Sequence, residues 1–172
     1  VFWHRLRPMS SHEVSHGAAA GAPAQRYETM IEIALYEPDI APNAGAIIRL
    51  GACLGLRVRI IEPAGFVWPN AQLRRAAMDY FAHADVVRDA SFAAFRAATV
   101  GRRLVLMTTR GATPYLDFRF EPGDILMMGR ESAGVPDEVH ALADARLVIP
   151  IRRGLRSLNV GMACAMAVGE AV

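Results

Sequence analysis

Arg146 to Val168 reads R-L-V-I-P-I-R-R-G-L-R-S-L-N-V-G-M-A-C-A-M-A-V. A short apolar strand (Leu147, Val148, Ile149) breaks at Pro150, a basic loop passes through Gly154, and from Ser157 no charge occurs until Glu170. Strand, turn and helix are thus predicted within one short segment. The helix is apolar nearly all round, with Leu158, Val160, Met162, Met166 and Val168 spread over its circumference. That pattern suits a helix buried on several sides, one against a sheet and another against a second subunit. Ser157 and Asn159 stand at its entrance, where their side chains can satisfy first-turn amides that can also hold an anionic ligand.

Upstream of this segment, strands alternate with helices. Ile31 to Tyr36 is a strand stopped by Glu37-Pro38, and Asn43 is the expected N-cap of a helix carrying Ile47, Ile48, Leu50 and Leu54 and closed by Gly55. Val58 to Ile61 is the second strand, and a short helix is expected near Leu73 to Met78. Val86-Val87 is a brief strand, Ser91 caps a helix to Arg96, Leu104 to Met107 and Ile125 to Met128 are strands, and Val139 to Leu142 is a short helix. The strands are continuous apolar runs, which predicts an α/β domain whose mostly parallel sheet carries helices on both faces. Residues 30–172 form one domain on this reading. Residues 1–29 have no sustained period and read as a flexible extension, with Met30 as a candidate natural start. His12-Glu13-Val14-Ser15-His16 matches a zinc pattern, but Gly17 and the small residues after it give no helix and no third ligand follows, so no metal is expected.

The chain holds 172 residues, with 19 Lys+Arg against 17 Asp+Glu, so net charge alone does not announce a nucleic-acid binder. All 19 of these basic residues are arginine, paired at Arg57/Arg59, Arg74/Arg75 and Arg102/Arg103 and grouped at Arg152/Arg153/Arg156. Each group is either a phosphate contact or solvated surface. Cys53 and Cys164 lie among apolar neighbours and read as small core residues of a reduced, cytoplasmic protein. No apolar run is long enough for a membrane span. His83 and His140 lack metal-forming partners and read as solvated.

In a parallel sheet, ligands sit beyond the carboxyl ends of the strands. The unusual loops there are Thr108 to Gly111, Gly129 to Pro136 and Ile151 to Ser157. No G-x-G-x-x-G and no phosphate-binding G-x-x-x-x-G-K-[ST] occurs, and Glu131 occupies the position where a hydrolase elbow needs glycine.

N-A-G-A-I-I-R (Asn43 to Arg49), L-M-M-G-R-E-S-A-G-V-P (Leu126 to Pro136) and I-P-I-R-R-G-L-R-S-L-N-V (Ile149 to Val160) resemble the three ordered motifs of the SpoU branch of the SPOUT methyltransferases. A-L-Y-E-P-D-I-A-P-N-A-G and I-I-E-P-A-G-F-V-W resemble the small subfamily that methylates the wobble ribose of tRNA, on cytidine or carboxymethylaminomethyluridine. The resemblance runs from Ile31 to the C-terminus. It implies a C-terminal deep trefoil knot, a homodimer whose sites borrow residues from both subunits, and S-adenosylmethionine as cofactor with S-adenosylhomocysteine as product. Cofactor contacts carried over by motif fall on Met107, Thr108, Gly129, Glu131, Ile149, Ser157 and Leu158. The implied reaction is attack of a ribose 2′-hydroxyl on the sulfonium methyl, with Arg49 in the critical role and Asn43, Ser157 and Asn159 in support. Arginine is a poor base, so Arg49 is expected to fix the nucleotide's phosphate and stabilise the developing alkoxide. Glu131 is expected to pin its loop by accepting backbone amides rather than to act directly, and Asn159 has helix capping as an alternative role. Arg152, Arg153 and Arg156 are expected to meet tRNA phosphate. Gly169 stands where many relatives carry tyrosine, which leaves nucleoside preference open. The competing expectations are methylation of another RNA, such as ribosomal RNA, and a knotted RNA-binding protein without catalysis.

Overall fold

The computed structural model describes residues 31–172; the extension, Met30 and the His12–His16 motif lie outside the described residues. Seven parallel strands form one sheet: β1 (Glu32–Tyr36), β2 (Val58–Ile61), β3 (Val86–Asp89), β4 (Leu104–Met107), β5 (Thr113–Pro114), β6 (Ile125–Met128) and β7 (Ala145–Val148). Their order is β3-β2-β1-β6-β4-β7-β5. The helices are α1 (Ala41–Leu54), α2 (Ala71–Ala77), α3 (Phe92–Ala98), α4 (Asp137–Leu142) and α5 (Val160–Ala171).

Successive strand residues point to opposite faces, and each face is covered. Ile33, Leu35, Ile60, Val105, Met107 and Leu126 pack with Ile47 and Ile48 of α1, Leu73 of α2 and Cys164, Ala167 and Val168 of α5. The intervening residues Ala34, Tyr36, Ile61, Leu106 and Met127 pack with Phe95 of α3 and Val139 of α4. This explains the unbroken apolar strands: a central strand flanked by helices on both sides has no wet face. A helix as short as α3 is marginal in isolation; fully buried Phe95 anchors it, and the Ser91 hydroxyl accepts from the Ala94 amide at 3.1 Å, as the cap expected there.

Several expectations need correction. Asn43 does not cap α1, which begins at Ala41 with Ile40 at the cap position. Pro42 is tolerated in the first turn because the amide it lacks would have no intrahelical partner. The helix therefore starts one turn earlier and leaves the Asn43 side chain free. Ser157 likewise lies in the loop before α5, and Asn159 alone caps that helix, accepting from the amides of Gly161 (2.9 Å) and Met162 (3.3 Å). Cys53 is exposed in the last turn of α1, whereas Cys164 is fully buried and its thiol is pushed up to about 12 by burial. His140 is half-buried rather than solvated, and burial pushes its pKa down.

Two arginine pairs serve the fold instead of meeting phosphate. Arg59 grips Asp89 through two hydrogen bonds of 2.9 and 2.8 Å and lies 3.5 Å from Glu32, all three buried. Arg57 pairs with Asp85 at 2.9 Å, Arg102 with Glu32 at 2.6 Å and Arg103 with Asp124 at 2.7 Å. The buried carboxylates of Glu32, Asp89 and Asp124 demand such partners.

Candidate active site

Neighbouring strands β6, β4 and β7 end together, with Met107 level with both Met128 and Leu147. The loops leaving them converge with the β1–α1 turn and the start of α5 around a cavity of about 660 Å³. Its apolar walls include Leu106, Met107, Met128, Val148 and Ile149; its polar rim includes Thr108, Arg130, Glu131, Ser132, Ser157 and Asn159. The loop after β6 closes on itself through paired backbone hydrogen bonds between Arg130 and Gly134 (2.9 and 2.8 Å). A Cβ at Gly129 would fall 2.7 Å from the backbone of Gly134, so this close approach requires glycine there.

A line of polar contacts joins three distant segments across the rim. Glu131 accepts from the Asp39 amide (2.9 Å) and from Asn43 Nδ2 (3.1 Å). Asn43 Oδ1 accepts from Asn159 Nδ2 (3.0 Å), and Asn159 Oδ1 caps α5. Because Asn43 sits inside the first turn of α1, its side chain points toward the β6 loop instead of back onto its own helix. Glu131 thus pins the β1–α1 turn, and Asn159 both caps α5 and ties it to α1.

Arg130 braces the same turn. Its guanidinium donates to Asp39 (2.8 and 3.2 Å) and Glu37 (3.1 Å), while the Ser132 hydroxyl makes a further hydrogen bond to Asp39. Arg130, and next Ser132, hold the Asp39 carboxyl below its ordinary value, and the two carboxylates raise the Arg130 pKa. Glu37 adopts φ 43, a left-handed conformation that a non-glycine residue keeps only when its surroundings enforce it. The sequence reading missed Glu37, Asp39, Arg130 and Ser132; the acidic residues flanking Pro38 at the end of the first strand were the available signal.

Of the residues singled out by motif, Asn43, Met107, Thr108, Gly129, Glu131, Ile149, Arg156, Ser157, Leu158 and Asn159 line the cavity. Arg152 and Arg153 are exposed on the loop before α5 and do not line it. Arg49 lies outside the cavity on the exposed side of α1, with its guanidinium 5.1 Å from the centre of the Tyr80 ring and Nη1 3.1 Å from Met78 Sδ. Among the described residues, no group of three or more His, Cys, Asp or Glu side chains is placed to hold a metal ion, and no helix is long and apolar enough to cross a membrane.

Comparison with known proteins places this arrangement. A tRNA (cytidine(34)-2'-O)-methyltransferase of Beijerinckia indica is 57% identical over 142 residues, covering 81% of this chain and 89% of that protein. A solved structure concerning the 2-OH methylation of C/U34 on tRNA superposes with a TM-score of 0.80 at 39% identity, covering 84% of this chain and 95% of that one. The SpoU methyltransferase AviRb from Streptomyces viridochromogenes, solved in complex with AdoMet, superposes with a TM-score of 0.72 at 26% identity, covering 86% of this chain and 61% of that one. Residues 30–169 match the SpoU rRNA Methylase family across all the elements that build the cavity, and the chain belongs to that family.

Proposed function

We propose that the protein is an S-adenosylmethionine-dependent RNA methyltransferase that modifies the 2′-hydroxyl of the wobble ribose of tRNA, on cytidine or carboxymethylaminomethyluridine. The observation that carries this reading is the hydrogen-bonded line Glu131–Asn43–Asn159, which draws the three family motifs onto one cavity. The likeness to proteins described as acting on position 34 of tRNA selects the substrate. The natural compartment for this work is the cytoplasm.

The cavity suits the cofactor. Its volume of about 660 Å³ lies within the range of small-molecule sites, and its mixture of apolar wall and convergent polar groups is the usual recipe for holding a planar heterocycle with polar substituents. Met107 and Ile149 would sandwich the adenine, backbone groups beside Gly129 and Ile149 would read its edge, and Thr108, Ser157 and Leu158 would hold the remainder. Bound there, S-adenosylmethionine supplies an electrophilic methyl group on a sulfonium.

The chain's own residues then orient the ribose. Asn43 and Asn159 fix the rim, and Ser157, free of any helical cap, offers a hydroxyl to the nucleotide. The role of Arg49 on this reading is to hold the phosphate and stabilise negative charge on the 2′-oxygen with its fork of donors. Since Arg49 lies outside the cavity of its own chain, the reading requires a homodimer in which each site receives the partner's arginine. Met162 and Met166, 62% and 40% exposed on α5, supply an apolar face for such pairing. Arg152, Arg153 and Arg156 would meet tRNA phosphate, and the segment after β7 would thread the deep trefoil knot expected of the family.

Incubation with methyl-labelled S-adenosylmethionine and total bacterial RNA, followed by separation of tRNA from ribosomal RNA, nuclease digestion and position mapping, tests the reading. Label in a 2′-O-methylated nucleoside at the wobble position is expected. Label only in ribosomal RNA, or in a base methyl group, overturns it.

A further inference from the structure

Among the described residues, seven arginines are matched to carboxylates: Arg57, Arg59, Arg88, Arg102, Arg103, Arg110 and Arg130. Arg49 is not among them: no carboxylate lies within 4.0 Å of it among the described residues, a condition it shares with Arg74, which lies over the Phe81 ring, whereas Arg49 alone belongs to the motif assigned to the reaction. The Arg49 guanidinium rests instead on uncharged surfaces, the Tyr80 ring at 5.1 Å and the Met78 thioether at 3.1 Å. Both belong to the 3₁₀ turn Met78–His83, which continues directly from α2. The turn is set against α1 by the close packing of α1 on α2, where a Cβ at Gly45 would fall 2.5 Å from the Leu73 carbonyl oxygen.

Met78 adopts φ 55 and ψ −150, a left-handed excursion unusual for an unbranched side chain outside glycine. Tyr80 is 37% exposed and Met78 52% exposed, so neither is placed by burial alone. A backbone departure of this kind is costly and persists where the surrounding structure enforces it. Here it brings a sulfur and an aromatic face to one arginine.

The chemistry of the contact is selective. A carboxylate partner would orient Arg49 but would also cancel its charge and compete with phosphate for the same donors. An aromatic face orients a guanidinium through the ring quadrupole and leaves its charge and in-plane donors for another ligand. From this geometry we infer that Tyr80, assisted by Met78, is a positioning residue that holds Arg49 uncompensated and pre-oriented for the RNA phosphate and the reacting 2′-oxygen. The inference rests on the proposed ribose methylation. Tyr80 touches neither cofactor nor substrate in this role; it acts through Arg49.

Steady-state tRNA methylation by full-length wild type, Tyr80→Leu, Tyr80→Phe and Met78→Leu tests it. Tyr80→Leu should lower kcat roughly two- to fivefold, the rate equivalent of losing an exposed cation–π contact, with KM for tRNA and the affinity for S-adenosylmethionine unmoved. Tyr80→Phe keeps the ring and should restore kcat. Met78→Leu preserves the side-chain bulk without the sulfur and should lower kcat in the same sense, which keeps the test decisive should Tyr80→Leu not fold. Unchanged kcat in Tyr80→Leu, or in Met78→Leu where the first variant is unfolded, overturns the inference. A rise in KM for tRNA with kcat unmoved also overturns it, because Tyr80 would then be a surface for the RNA itself. Absence of 2′-O-methylation by the wild type is a different failure and removes the underlying function.

Discussion

Asp39 receives hydrogen bonds from Arg130 and Ser132, and these hold its carboxyl below its ordinary value of 3.8. A carboxyl lowered in the folded state stabilises the fold fully above its unfolded value, and that contribution is lost as pH falls through the lower folded value. Asp39→Asn should therefore be less stable than wild type at about pH 7, and the gap should narrow on acidification below about pH 4. Urea titrations at several pH values measure this; a gap that does not narrow on acidification would show that the pair contributes nothing through its charge. The contact was not legible in sequence, since Asp39 and Arg130 are 91 positions apart and nothing local pairs them. Asn43, Glu131 and Asn159 could be singled out because they stand in motifs, yet their bonding to one another could not, because it depends on where α1 begins.

At the scale of elements, the strands were readable because residues in a doubly covered sheet must be apolar on both faces. Helix starts were less so. Asn43 looked like a cap because it precedes an apolar periodic run, but Pro42 lies inside α1 rather than ahead of it, and the helix opens at Ala41. Ser157 looked like a helix entrance, yet the chain stays irregular until Asn159. β5, a two-residue edge strand containing Pro114, carries no periodic signal and came only from its pairing with β7. The contact of α1 with α2 was hidden for a related reason: Gly45 reads as an ordinary weak helix residue until the Leu73 carbonyl oxygen and Ala76 Cβ are seen 2.5 and 2.8 Å from where its own Cβ would stand. Gly45→Ala gains helix propensity but forces the two helices apart. A net loss of about 1–3 kcal/mol by chemical denaturation is expected, and a gain in stability would mean that α2 yields freely.

For the whole molecule, one protomer holds a cavity with its motifs assembled but leaves Arg49 outside it, on the far end of a contact with Tyr80. The proposed homodimer would reconcile the two. Met162→Glu, placed at the exposed apolar face of α5, should shift the protein toward monomer in sedimentation velocity and lower methylation in parallel; a fully active monomer would remove the need for a shared site. The central claim concerns one oxygen atom, so the most direct measurement compares two otherwise identical, natively modified tRNAs that carry cytidine or 2′-deoxycytidine at the wobble position. The ribonucleotide form should accept a methyl group from S-adenosylmethionine and the deoxy form should accept none. Equal methylation of both would place the reaction on another atom and contradict the account.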